Sequence, residues 1–449
     1  MSAGMGDTAD TRTAILRMGL PAAAAMFVGT LYAPIDLWCA ARLGSVPVVA
    51  VSFAAPLFFV LMAFSVGLSQ AATALIGRQL GAGDKAEAQT TWTHALVLAG
   101  VVGVGLTLLG AWGVPLMLAG QGATGETLRL ASDFSAVLFG GAAAFLLVAT
   151  VNSALLAEGD AKPNFWFLLG GCFANLGFNF LLMRQWGLAG IAASTVLVQL
   201  VGLVALYLVA QRRGWSMGRL GELRLATFGA LLRQALPNVA NLLMISVAVF
   251  LVTRQVATFD EDAVAAYGFA LRIEHLFSMP LIGFVSAVLP LASRARGAGN
   301  LGAAYQLWRT GLGLAFLAAL VAAVLLVVLA PLLCVTSGLS GSAFDHLGNY
   351  LVYSAIALPA YPVLFSVVFF MQALGRPEYG MWMGLARHCL APLCLLPLFA
   401  AWLGLTGVWI AIVAIAWAAA LIALYVGFRQ GRASEAHSLG SNVSGTTNQ

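Results

Sequence analysis

Seventeen acidic residues are spread over the 449-residue chain, and only Asp36 and Glu274 fall well within long apolar stretches. An ionised carboxylate at the centre of a bilayer-spanning helix costs about 2.5–3.5 kcal/mol on insertion scales, so one that is kept there is normally functional or paired. A carboxyl held away from bulk water is also suited to take up and release a proton. The plainer reading of Asp36 is that it lies near the outer end of its stretch, reaches interfacial water and pairs with Arg42. Glu274 has two candidate partners in apolar stretches, Arg272 and Arg387. Buried charges usually find partners, which favours a structural pair or gate over a second titrating site. The adjoining His275 and His388 read as ordinary polar core residues.

Asn175 and Asn179 are four apart, which puts them on one face of a helix, while Asn152 and Thr195 add polar groups to neighbouring stretches. Such groups suit hydrogen bonding to a protonated Asp36; ordinary interhelical packing by polar residues is the competing account. Pro21 removes one donor from its helix, so a bend is expected there, with a simple helix-entry proline as the alternative. The five cysteines, Cys39, Cys172, Cys334, Cys389 and Cys394, show no metal-ligand spacing and read as small packing residues. Gly81-Ala82-Gly83-Asp84 is too short for a phosphate-binding loop and lacks its Lys-Ser/Thr, so neither nucleotide, metal nor cofactor is expected.

The elements that must carry these groups are set by composition. The chain is 61% hydrophobic and 9% charged, against about 25% charged in an average soluble domain. A soluble enzyme is excluded. Breaking the apolar stretches at charges and Gly/Pro clusters gives twelve spans between residues 13 and 428, each long enough to cross a bilayer. The net charge of +5 does not point to nucleic acid, because the basic residues sit mostly in short loops. With the N-terminus inside, one side collects most of Lys and Arg, from Arg12 to Arg432, whereas the other receives only Arg42, Arg129, Arg184 and Arg254. That imbalance predicts both termini on the cytoplasmic side. Met1 to Arg12 is polar, so no cleavable signal peptide is expected. The organisation expected is an N-terminus at 1–12, six spans at 13–211, a linker at 212–228, six spans at 229–428 and a disordered tail at 429–449.

The two sets of spans repeat each other. A shift of 216 residues matches Leu16, Arg17, Leu20 and Pro21 with Leu232, Arg233, Leu236 and Pro237, then Gly67 with Gly283, Arg78 with Arg294, Gly81-Ala82-Gly83 with Gly297-Ala298-Gly299, and Gly159 with Gly375. One residue of slippage then aligns Gly187, Leu188, Gly190 and Ile191 with Gly404, Leu405, Gly407 and Val408. Six spans return the chain to its starting side, so the repeats are parallel, as in carriers whose two halves rock about a central cavity. The fold class expected is therefore all-α and polytopic, twelve helices in two parallel six-helix repeats.

Leu20-Pro21 followed by Asp36, Arg42-Leu43-Gly44, Gly67-Leu68-Ser69-Gln70 and Gly81-Ala82-Gly83-Asp84 resembles the opening of the multidrug and toxic compound extrusion (MATE) family. Ala265-Ala266-Tyr267-Gly268-Phe269, Arg272-Ile273-Glu274 and Gly297-Ala298-Gly299-Asn300 resemble the start of its second lobe, and Glu158 to Lys162 and Gly187 to Ala192 are also similar to it. Within the family the chain resembles the DinF-like branch. The resemblance implies V-shaped, alternating-access efflux of organic, cationic or lipophilic compounds by cation antiport, with Asp36 in proton coupling and Pro21 at the family's bend position. The chain departs from the sodium-coupled pattern in having no carboxylate in the seventh or tenth span, and Asn179 stands where the family often has an acid. The partners implied are small organic substrates and membrane lipid, the coupling ion H+ or alternatively Na+, the state a monomer and the location a bacterial-type inner membrane. A lipid-linked precursor flippase of the wider superfamily is the alternative; its relatives tend to have more spans and a strongly cationic cavity. A major-facilitator carrier or a non-transporting scaffold is a weaker one.

Overall fold

The computed structural model describes residues 8–218 and 224–445, with side chains from Ala9 to Arg432, and contains no strand among them. Its helices are α1 (Thr8–Ala41), α2 (Ser45–Gly81), α3 (Lys85–Gly120), α4 (Gly125–Gly140), α5 (Ala142–Ala157), α6 (Lys162–Arg212) and α7 (Leu225–Val256). They continue with α8 (Glu261–Ser286), α9 (Val288–Gly297), α10 (Leu301–Thr336), α11 (Ser342–Ala357), α12 (Ala360–Ala373), α13 (Glu378–Leu385) and α14 (Ala391–Gly445), with a π-helical turn at Ala386–Leu390. Eight helical stretches are long and apolar enough to cross a membrane, and the bent pairs α4/α5 (42°) and α11/α12 (43°) bring the number to ten. Two of the eight are themselves broken, at Gly187 in α6 and Gly404 in α14, so twelve crossings are present among the described residues.

Those two breaks are alike. Gly187 has φ 55° and ψ −131°, Gly404 φ 62° and ψ −145°, backbone angles open to glycine. Three residues on, a Cβ at Gly190 would lie 2.3 Å from the Leu182 carbonyl oxygen and one at Gly407 2.0 Å from that of Phe399, so the arms of each hairpin cross at backbone contact. The duplicated Gly-Ala-Gly signature is also a turn: Gly83 (φ 81°) and Gly299 (φ 75°) end a helix, and the next side chain caps the following one. Asp84 Oδ1 accepts from Glu87 N at 2.9 Å, and Asn300 Oδ1 accepts from Ala303 N at 2.8 Å.

By packing the chain divides into residues 27–243 and residues 1–26 with 244–449. The divisions fall inside α1 and α7, whereas the sequence draws its lobes at 13–211 and 229–428. The first half of α1 packs on α8, where a Cβ at Gly19 would lie 2.9 Å from the Phe284 ring and one at Gly283 2.7 Å from the Ala22 carbonyl oxygen. Leu231 and Ala235 of α7 belong to the core of the other unit. Each unit has the same anchor 216 residues apart. Trp92 donates to the Thr150 carbonyl oxygen (3.2 Å) in one, and Trp308 to Ser366 Oγ (3.2 Å) in the other. Of the linker, residues 219–223 lie outside the described part; Trp215, fully buried, donates to Glu158 Oε1 at 2.8 Å. The composition of 429–449 predicts disorder, yet α14 continues to Gly445, as a helix already nucleated needs only to propagate.

Candidate functional site

In the unit of residues 27–243, Asp36 on α1 meets both arms of the α6 hairpin. Its Oδ1 accepts from Asn179 Nδ2 at 2.9 Å and its Oδ2 from Thr195 Oγ1 at 3.3 Å. Asn179 Nδ2 also donates to Asn175 Oδ1 (3.1 Å), and Asn175 Nδ2 donates to Thr195 Oγ1 (3.1 Å) and Ser194 Oγ (3.4 Å). Ser194 donates to Asn179 Oδ1 and closes the ring. Asn175, Asn179 and Ser194 are fully buried. The turn at Gly187 makes this possible: it folds the second arm of α6 back on the first, so that residues 19–20 apart in sequence face each other.

Such a ring accepts either protonation state of Asp36. Thr195 Oγ1 stands 3.3 Å from both Asp36 Oδ2 and the Ile191 carbonyl oxygen. Beside an ionised Asp36 the hydroxyl donates to Oδ2; beside a protonated one it accepts the acid proton and turns its own to Ile191. No member is stranded in either case, and accommodating the change takes the rotation of one hydroxyl.

Four of the five residues singled out for this site, Asp36, Asn175, Asn179 and Thr195, are thus brought together. Asn152 is not joined to them; its Oδ1 is buried without a hydrogen-bond partner. Pro21 lies in the part of α1 that packs with residues 244–449, and α1 runs through it as continuous helix. Arg42 does not pair with Asp36: its guanidinium carbon stacks 4.1 Å over Trp38 and 5.5 Å over Phe180. Ser194 was missed, although it precedes Thr195 in the same stretch and both hydroxyls face the asparagines.

The other unit holds a different cluster. Glu274 on α8, 8% exposed, accepts from Tyr350 (2.7 Å) and Ser354 (3.1 Å) on α11 at Oε2 and from Tyr361 (2.5 Å) on α12 at Oε1. The pair expected with Arg272 or Arg387 is corrected: among the described residues no ion pair joins them. Tyr361 stands between, its hydroxyl on Glu274 and its ring face 5.0 Å from the Arg387 guanidinium carbon. Arg272 is exposed. Three hydroxyls, rather than a cation, make the direct hydrogen bonds to this carboxyl. Tyr350 and Ser354, four apart on one helical face, were the available signal.

The repeat places these clusters at non-equivalent positions. The 216-residue shift carries Asp36 to Val252 and Asn179 to Leu395, and it carries Phe58 and Phe145 to Glu274 and Tyr361. Where one unit has the Glu274–Tyr361 hydrogen bond, the other packs Phe58 edge-on against Phe145, centroids 5.8 Å apart. Among the described residues each half therefore holds one carboxyl within its spans, Asp36 half-buried and Glu274 buried, and neither copy reproduces the other's site.

Outside the spans, Arg213 binds Asp160 (2.7 Å) and Glu158 (3.5 Å). Partial burial pushes the Asp160 carboxyl up, but the Arg213 guanidinium and the Lys162 backbone N–H outweigh it and hold the group below its usual range.

Comparison with known proteins adds a family. The MatE family model matches residues 21–181 and 237–397, the same segment twice at the 216-residue shift. A probable multidrug resistance protein of Bacillus subtilis, YoeA, is 24% identical over 61% of this chain and 62% of its own length. An FAD transporter of Shewanella oneidensis is 24% identical over 64% of this chain and 65% of its own length. The chain thus matches somewhat less than two thirds of these relatives. Among solved structures, a MOP superfamily transporter from Pyrococcus furiosus aligns with TM-score 0.90 and 25% identity over 95% of this chain and 97% of that one. An outward-facing multidrug resistance MATE family transporter aligns equally well.

Proposed function

Since this chain belongs to the MatE family of integral membrane proteins, we propose that it exports organic, cationic or lipophilic compounds by cation antiport, with a proton as coupling ion and Asp36 as its binding group. The observation that carries this reading is the Asp36 ring, an embedded carboxyl whose partners remain satisfied with or without its proton. Asn175, Asn179, Ser194 and Thr195 orient the carboxyl; Pro21 leaves α1 one hydrogen bond short, a weak point at which the helix bends during alternating access. Each charge moved with a membrane potential contributes about 2.3 kcal/mol per 100 mV, so one proton drives appreciable uphill export. The basic side faces the cytoplasm, both termini lie there, and the carrier acts as a monomer in a bacterial-type inner membrane. The Shewanella relative and both solved structures are named as transporters, which agrees with a carrier rather than an enzyme.

The test is reconstitution in vesicles with proton and sodium gradients imposed separately, reading export of lipophilic cations and of a flavin nucleotide. Export driven by the proton gradient is expected. Export driven by sodium alone overturns the ion assignment, and export of the flavin nucleotide alone overturns the substrate class.

A further inference from the structure

Beside the start of α10, within the unit of residues 1–26 and 244–449, lies a cavity of about 650 Å3 that the coupling chemistry does not use. Its volume is in the range of small-molecule sites, about 300–1,000 Å3. One face of α10 forms the wall, with Gln306, Arg309, Gly313 and Leu317 in successive helical steps, and Arg12 of α1 completes it. Polarity changes in order along this wall. Along α10, Gln306, Arg309 and Thr310 come first, Gly313 and Leu314 follow, and Leu317, 60% exposed, ends the wall.

Among the described residues no acid lines the cavity and neither arginine has an ion pair. Arg309 is nonetheless held. Its guanidinium carbon lies 5.7 Å over the ring of Tyr305, which is buried against Trp308 with centroids 5.7 Å apart. Stacking fixes the plane of a guanidinium and leaves its donor edge free, the arrangement that suits bidentate binding of phosphate. A Cβ at Gly313 would meet nothing within 4 Å, so the trough is open where an acyl chain would leave it. Basic pockets between membrane helices on the cytoplasmic side are where anionic headgroups bind.

We propose that this cavity binds an anionic phospholipid of the cytoplasmic leaflet, its phosphate between Arg12 and Arg309 and one acyl chain over Gly313 toward Leu317. The order of polar and apolar wall matches an amphiphile rather than a soluble anion. A lipid so placed ties the start of α1 to α10, nine residues before Pro21.

The test is native mass spectrometry of the full chain in detergent, titrated with phosphatidylglycerol or phosphatidylcholine of the same acyl chains. Preferential retention of phosphatidylglycerol is expected. It should fall about fivefold for each arginine lost in Arg12→Gln and Arg309→Gln. Because charge removal could unsettle the helix ends, Gly313→Leu supplies an independent variant. It fills the trough without touching either arginine, and it should lower phosphatidylglycerol retention at an unchanged melting temperature. Equal retention of the two lipids by the unmodified protein overturns the site, as does full retention in the Gly313→Leu or the double arginine variant. Displacement by excess inorganic phosphate would make the ligand a soluble anion and overturn the lipid assignment.

Discussion

Asn179 donates to Asp36 Oδ1 across 143 residues of sequence, at 2.9 Å, and the same Nδ2 holds Asn175. A primary amide at this position has two donors to give and no charge of its own, so it can orient the carboxyl whether or not that carboxyl is charged.

Asp36→Asn keeps the shape and most of the hydrogen bonds of the ring while removing the titrating group. Export driven by an imposed proton gradient should fall roughly 5- to 150-fold, the usual span of a coupling free energy, with the melting temperature little changed. Vesicle efflux assays with a pH jump check it; unaltered proton-driven export would remove Asp36 from the coupling.

Asn179→Leu removes the donor that both Asp36 Oδ1 and Asn175 Oδ1 accept from. The loss should be about 1–3 kcal/mol of stability, measured by denaturation in detergent. In the double variant with Asp36→Leu the losses should be less than additive, because the second change removes the group that the first one stranded.

For Glu274 the cage of hydroxyls predicts an order of effects. Tyr361→Phe removes one of three donors and should cost about 1–3 kcal/mol, whereas Arg387→Met should cost less, since Arg387 touches the ring rather than the carboxylate. Equal losses from the two substitutions would mean that Arg387 acts on Glu274 directly. Thermal unfolding of both variants distinguishes the cases.

Asp160 yields a pH dependence outside the spans. Its carboxyl is held below the ordinary 3.8 in the folded chain, so its contribution is present above about pH 4 and is lost as pH falls through the lower folded value. Both side chains of the Asp160–Arg213 pair are about a third exposed, at 30% and 34%, and solvent screening keeps the contribution under about 1 kcal/mol. Asp160→Asn should therefore lower the melting temperature slightly at neutral pH, and the two curves should converge below pH 4.

Much of this is legible in the amino-acid sequence. Twelve crossings and a doubled unit follow from apolar length and from glycines at one shift, because bilayer thickness and tight turns admit few residue types. The Asp36 set was legible because buried polar groups are scarce and must meet. Sequence could not say which would meet: Asn152 is equally apolar in its surroundings yet stays apart, and only the α6 hairpin decides that Ser194 joins instead. The Glu274 partner was misread for a related reason. Sequence logic matches a charge with a charge, whereas three neutral hydroxyls from α11 and α12 hydrogen-bond the carboxyl. The exchanged halves of α1 and α7 were invisible, since packing membership leaves no mark on hydropathy.

The hairpin turns at Gly187 and Gly404 carry a further consequence, which is one of handedness. Their backbone angles belong to the mirror image of an ordinary amino acid, so the angles suit D-alanine while L-alanine would be forced off them. Neither turn therefore has a substitute among the encoded residues other than glycine itself. The contact of Asn175 with Ser194 and Thr195 hangs on an achiral atom.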